Sequence, residues 1–312
     1  MSNNLKTRNS FRSALPWVGS SIFLILLVVV WPAIELIRIS FSKINDAGQI
    51  GGYHGLENYK DLISNGEVAP ILIRTFFWVF TVVAVTVLIS LPLAQLINQK
   101  FPGRKYVRWA LIVPWAASVV MTSTVWQWIL DLTAGELNLT LQELGIQEEP
   151  VDWLGDPRFS FWVLIWIAIF VSVPFTTFVL LAGLQSIPND ILEAASVDGA
   201  TSWTTYRKIK FPLLRNSLLI ATIINLINVF NSFPIIYALT RGGPGYDTST
   251  TTVYAYKLAF TEFNMGQSTA MGTINFIIIL IIVSIYLKIT KATRMELDRK
   301  STRLNSSHLG IS

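Results

Sequence analysis

The chain has 312 residues, of which 52% are hydrophobic and only 14% charged, with a formal net charge of +5 and no cysteine. So little charge cannot cover the surface of a soluble domain of this length, which excludes an ordinary globular protein. The missing thiols exclude disulfides, thiolate metal sites and cysteine nucleophiles, and the two histidines, His54 and His308, lie far apart in polar segments.

The first apolar run, 15–40, is too long for a signal-peptide core and no small-residue cleavage site follows, so a retained helix is expected. Further runs lie at 74–97, 109–130, 159–184, 214–238 and 268–289. Each is near the ~20 residues that carry a helix across a bilayer core. Lipid offers backbone amides no partner, so single runs of this kind span only as helices. The expected fold class is an all-α integral membrane protein with six transmembrane helices. Pro32, Pro92, Pro114, Pro174 and Pro234 each delete a helix hydrogen bond and are expected to kink their spans.

Basic residues orient the spans. They collect in the N-terminal tail (Lys6, Arg8, Arg12), between spans two and three (Lys100, Arg104, Lys105, Arg108) and between four and five (Arg207, Lys208, Lys210, Arg215). The tail after span six adds Lys288, Lys291, Arg294, Arg299, Lys300 and Arg303. Six spans put these regions on one side, the cytoplasmic one, with both termini inside. The opposite side is acidic: residues 131–158 carry Asp131, Glu136, Glu143, Glu148, Glu149, Asp152 and Asp156 against Arg158 alone. Membrane lipid is thus the expected surroundings, and the positive charge is no sign of nucleic acid. The expected organisation is a cytoplasmic tail at 1–14, a transmembrane domain at 15–290 and a cytoplasmic tail at 291–312. In that last tail Ser301–Ser312 reads as disordered, or as a cloning or sequence-assembly scar.

Within the domain, the polar loop 185–213 carries an ordered pattern. Pro188-Asn189-Asp190 is a helix-start signal, and a short helix through Ala195 is expected to break near Gly199. A second stretch would run to Lys210, with Pro212 ending it or opening span five. Ala194 and Ala195 give the helix a thin face, Gly199 permits a turn that a Cβ would hinder, and Glu193 and Asp198 offer charge for pairing. Beyond span five, Gly242-Gly243-Pro244-Gly245 reads as a tight turn on the outer face. Span five itself holds Asn225, Asn228, Asn231 and Ser232 on one face about 120° wide, with Phe230, Phe233 and Tyr237 nearby. Two roles fit these amides: hydroxyl recognition in a solute path, or hydrogen bonds between helices. Asn275, and Gln127 between Trp126 and Trp128, are weaker candidates for the same path.

Glu193-Ala194-Ala195, three residues, Gly199, nine residues, Ile209, one residue and Phe211-Pro212 resemble the EAA motif of permeases in binding-protein-dependent ATP-binding-cassette importers. Phe211 stands where leucine is usual. Trp31-Pro32, Ser40-Phe41 and Gly55-Leu56-Glu57-Asn58-Tyr59 look like the opening of the carbohydrate-uptake subfamily. Leu239-Thr240-Arg241-Gly242-Gly243-Pro244 is similar to the LTxGGP stretch of its maltose-type first permease. The resemblance implies that 185–213 forms a cytoplasmic coupling helix for two copies of an ATP-binding subunit. It also implies a second permease subunit, an extracytoplasmic solute-binding protein docked near Gly242, Gly243 and Pro244, and a bacterial or archaeal inner membrane. The solute would be a sugar or sugar derivative; a polyamine, an osmolyte or phosphate are alternatives, and an ion-coupled secondary transporter is a rival of another class. The chain has no Walker A loop, so it is expected to be no enzyme and to need no metal or cofactor of its own.

Overall fold

The computed structural model describes residues 18–45 and 48–308, with side chains up to residue 290. The tail expected at 1–14 lies outside the described residues. In chain order the elements are α1 (Val18–Ser40), β1 (Ser42–Ile44), β2 (Ile50–Tyr53), α2 (Glu57–Ser64) and α3 (Val68–Asn98). Then follow α4 (Arg104–Ala116), α5 (Val119–Ile129), α6 (Glu136–Glu143), α7 (Ser160–Gln185) and α8 (Asn189–Val197). The chain ends with α9 (Ser202–Thr205), α10 (Arg215–Phe230), α11 (Phe233–Thr240), α12 (Thr251–Phe260) and α13 (Met265–His308).

Five helical stretches are long and apolar enough to cross a membrane, and the bent pair α4–α5 would make a sixth. That pair corrects the continuous helix expected at 109–130: its two halves meet at 100°. Pro114 leaves the last turn of α4 short of a hydrogen bond, and Ala117 and Ser118 are extended (ψ 149° and 147°). Ser118 then restarts the helix by accepting the Met121 amide at 3.1 Å. The final helix continues to His308, where the sequence reading had a disordered tail. Met295, Glu296, Leu297, Arg299 and Lys300 favour helix, and Arg303 and Leu304 carry it on into that tail.

The described chain forms two compact units, one built from the chain up to Gly66 with Ala255–Phe276, the other from Glu67–Tyr254 and the chain from Ile277 on. In the first, β1 and β2 form an antiparallel hairpin, a small departure from a purely helical fold, placed where Gly48, Gly51 and Gly52 loosen the chain. Asn58 catches the end of α1 there, donating to the Ser40 and Ser42 carbonyls at 2.8 and 2.9 Å. Ser40 Oγ lies 2.7 Å from Tyr59 Oη, and the Phe41 and Tyr59 rings pack at 5.3 Å. Ser40-Phe41 and Asn58-Tyr59 are therefore one packing contact.

In the second unit α7 is central. It carries no charged residue along its length and packs most extensively on α3. One cluster joins Trp78, Val82, Leu164, Ile167, Val229, Phe230 and Ile236; another, under the 185–213 loop, joins Ala94, Ile97, Leu180, Leu184, Leu214 and Ala221. Small residues let the helices meet closely. A Cβ on Gly183 would lie against Ser217 Oγ, 2.6 Å from Ser217 Cβ and 3.1 Å from a Leu214 methyl. Gly183→Val is expected to cost about 1–3 kcal/mol through overpacking. This would be read as a lower melting temperature in detergent, and Ser217→Gly in the same chain should restore part of it.

Candidate functional site

The loop 185–213 is a helix, a left-handed turn and a second helical stretch. Pro188 stands at the N-cap of α8, and neither Asn189 nor Asp190 caps it by a side-chain bond, contrary to the sequence expectation. Pro188 brings an extended backbone (ψ 136°) to the cap, and Asn189 and Asp190 already lie inside the first turn. The far end explains the glycine. Gly199 has φ +74°, the Ala200 amide donates to the Ala195 carbonyl at 3.0 Å and the Gly199 amide to Ser196 at 3.1 Å. These paired bonds form a Schellman cap, whose left-handed residue is best filled by glycine.

The loop's side chains divide. Ala195 is buried, while Glu193, Ala194, Asp198 and Gly199 are exposed. Thr201 then caps α9 through the Thr204 amide, and the chain widens into a π-turn over Tyr206–Lys210. That turn contains the half-buried Ile209 and comes just before the exposed Pro212. A proline ring collides with the carbonyl four residues back, and the i→i+5 bond from the Phe211 amide to the Tyr206 carbonyl relieves this. The surface left open mixes apolar and basic groups: Val197 (86% exposed), Trp203 stacked on Tyr206, and Phe211 lie among Arg207, Lys208 and Lys210.

A second feature lies at the break between α10 and α11. Asn231 and Ser232 leave helical geometry there, and Pro234 occupies the first turn of α11. The break opens on a cavity of about 500 Å³ lined by Asn225, Asn228, Asn231 and Ser232, with Ser172 and Thr122 opposite. Trp115 and Phe175, also in the lining, stack with centroids 6.2 Å apart. No charged side chain lines it. Asn225 is 3% exposed, and its Nδ2 finds no hydrogen-bond partner among the described residues. All four polar residues singled out in span five thus meet at one cavity. Phe233 does not line it but stacks on Tyr237 at 4.9 Å, and Gln127 is exposed elsewhere on α5. Asn275 belongs to the other unit, buried with its Oδ1 unbonded among the described residues. Trp115 escaped the sequence reading; its one signal was its place beside Pro114.

The loop after α11 is a knot of short bonds. Thr248 Oγ1 donates to the Gly243 carbonyl at 2.8 Å and Ser249 Oγ to that of Gly242 at 2.9 Å. Gly242 has φ +81° and a Cβ there would strike Ser249 Oγ; the Gly243–Pro244 peptide is cis. The acidic segment 131–158 also folds on itself, around Asn138. Its Nδ2 donates to the carbonyls of Asp131, Leu132 and Val151, and its Oδ1 accepts from Gln147 Nε2, the Val151 amide and Trp153 Nε1. The Ala134 and Thr133 amides hold the Asp131 carboxyl below its usual pKa.

Residues 86–294 match the family described as the binding-protein-dependent transport system inner membrane component. A Brucella suis protein described as a probable ABC transporter permease protein is 38% identical over 88% of this chain and 95% of its own length. The trehalose/maltose transport system permease protein of Thermococcus litoralis is 30% identical over 94% of this chain and all of its own. Among solved structures, a bacterial ABC transporter involved in the import of the acidic polysaccharide alginate has a chain of the same fold. It aligns with a TM-score of 0.80 and 21% identity over 92% of this chain and 99% of that one.

Because Asn138 makes six of the bonds that close the 131–153 turn, Asn138→Ala is expected to loosen that segment by about 3 kcal/mol. Limited proteolysis should then cut within 131–153 while the rest of the chain keeps its wild-type pattern.

Proposed function

The chain belongs to the family of binding-protein-dependent transport system inner membrane components, and we propose that it is the permease of an importer for a neutral sugar, driven by a separate ATPase. What carries this reading is the cavity at the span-five break. Four neutral polar side chains face an indole there, with no charge among them. Amides and hydroxyls suit sugar hydroxyls, ring faces suit a sugar's C–H surface, and a charged solute would find no counter-charge. The trehalose/maltose permease from Thermococcus agrees with that solute class.

The remaining roles follow from the same reading. The basic loops face the cytoplasm, as do both termini. The loop 185–213 is the coupling element: Glu193, Ala194, Asp198 and Gly199 present a capped helix, with Val197, Trp203 and Phe211 as the apolar contact for an ATP-binding subunit. Ala195, Ile209 and Pro212 shape the loop from within. Two ATPase copies, a second permease and an extracytoplasmic solute-binding protein complete the machine, the last docking near Gly242, Gly243 and Pro244. This chain changes no bond in the solute; it alternates between states that its partners bias.

Gly199 tests the coupling role, since a Cβ there meets nothing within 4 Å and the strain is confined to a left-handed backbone costing about 1–2 kcal/mol. Wild type is expected to co-purify with an ATPase and a second permease, and Gly199→Asp to lose the ATPase or its coupled turnover at normal membrane levels. Wild type emerging with no nucleotide-hydrolysing partner would sink the reading.

For the solute role, Trp115→Ala should raise the KM for trehalose or maltose uptake about tenfold, near 1.4 kcal/mol, with Trp115→Phe retaining most of the affinity. An unchanged KM in Trp115→Ala would take the ring out of the solute path.

A further inference from the structure

Three side chains on one face of α3 hold two separate parts of the second unit. Arg74, Thr75 and Trp78 fall within about 100° of the helix surface and about one turn of its length. Arg74 is the only basic residue in Val68–Asn98, and it is half-buried. Its Nη1 donates to the Tyr246 carbonyl at 2.8 Å and its Nη2 lies 3.9 Å from Asp247 Oδ1. Thr75 is buried, and its Oγ1 accepts the Thr251 amide at 3.0 Å. Together they grip the middle and the far end of the loop that carries Gly242, Gly243 and Pro244.

Trp78 holds something else. It is fully buried, and its Nε1 donates to the Val229 carbonyl at 3.1 Å. In an unbroken helix that carbonyl would take the Phe233 amide, but the Phe233 amide turns to Asn231 at 2.7 Å. From within the segment it is left with short-range bonds from the Asn231 and Ser232 amides, the latter at 3.2 Å. The indole thus stands in at the point where α10 gives way, between the cavity-lining residues Asn228 and Asn231.

We propose that this face of α3 is a mechanical link between the 241–250 loop and the cavity. Arg74 and Thr75 bind the loop, and Trp78 is the positioning residue for the break that turns Asn228, Asn231 and Ser232 to the cavity. Pulling the loop from α3 would leave a guanidinium without its carbonyl and carboxylate at the edge of an apolar span, so the two travel together. One helical turn away, the same rigid helix carries the movement to the break, an irregular element that can take more than one arrangement. That the loop faces the exterior rests on the reading above; the link itself rests on these bonds alone.

A chain without cysteine allows a direct test. Asn228→Cys places a thiol at an exposed position in the cavity lining, and its reaction rate with a cationic methanethiosulfonate reagent is measured in membranes holding the assembled transporter. Leu144→Cys, 66% exposed in the 131–158 segment, serves as the control. Arg74→Gln and Trp78→Phe are each expected to change the rate at position 228 by about threefold or more, leaving position 144 unchanged. Arg74→Lys, which keeps the cation, should restore most of the wild-type rate. A rate at 228 untouched by Arg74→Gln overturns the link, and so does an equal shift at 144, which marks general loosening. Where Trp78→Phe fails to assemble, Arg74→Gln alone decides. The assay needs no solute, nucleotide or transport, so a wrong solute assignment would leave its outcome intact.

Discussion

Backbone groups that lose their helical partners must find others, most strictly in a medium without water, and the widened turns and breaks in the helices of this fold answer that demand. Two prolines are met by widening the helix. α1 carries a π-turn at Leu26–Val30 just ahead of Pro32, and the 202–213 segment carries one at Tyr206–Lys210 just ahead of Pro212. Two other sites are allowed to break. At Ala117–Ser118 the serine hydroxyl restarts the helix, and at Asn231–Ser232 the Trp78 indole takes up the Val229 carbonyl. Both breaks border the same cavity, which Ala117, Asn231 and Ser232 all line. Both breaks stand where they shape a cavity, while α3 and α7 run as unbroken α-helices along their whole lengths.

Polarity follows the same economy. Ser90 Oγ donates to the Val173 carbonyl, one residue before Pro174, across the buried α3–α7 contact. Such a bond fixes two helices and asks nothing of a ligand. Asn225 differs, because a buried amide donor without a protein partner costs about 1–3 kcal/mol. A neutral amide can carry that cost where an ionised group could not, which accords with the neutral solute proposed for this cavity.

Local sequence made much of this legible. Apolar runs located five of the long helices because length and hydropathy are properties of a single segment. The loop 185–213 was readable for a similar reason: a helix stopped by a left-handed glycine is written in seven consecutive residues, Glu193 to Gly199. The sequence did not show where the third run bends, since Ala117 and Ser118 carry no punctuation and Pro114 precedes the break by a full turn. The second run was read from 74, whereas the helix begins at Val68 and Arg74 lies inside it. The partners that let a cation lie within it, Tyr246 and Asp247, are far along the chain. Asn138 escaped notice likewise: one amide among many polar residues, its six bonds exist only once the segment folds.

These long-range ties give the second unit a simple mechanical layout. α10 runs without interruption from Arg215, directly after the 185–213 loop, to Phe230 at the cavity break. At 1.5 Å per residue its 16 residues span about 24 Å. Its near end is pinned among Leu214, Leu184 and Ile97, and its far end is held by Trp78. A tilt of the 185–213 loop therefore reaches Asn228 and Asn231 through a stiff rod, while a shift of the 241–250 loop reaches them through α3. The two inputs converge on one short irregular segment, Val229 to Ser232. A segment served by two rigid helices and lacking a continuous hydrogen-bond ladder of its own is the place where opposing inputs can be reconciled by a local change of backbone. Regular helix at that point would lock the cavity to one of them.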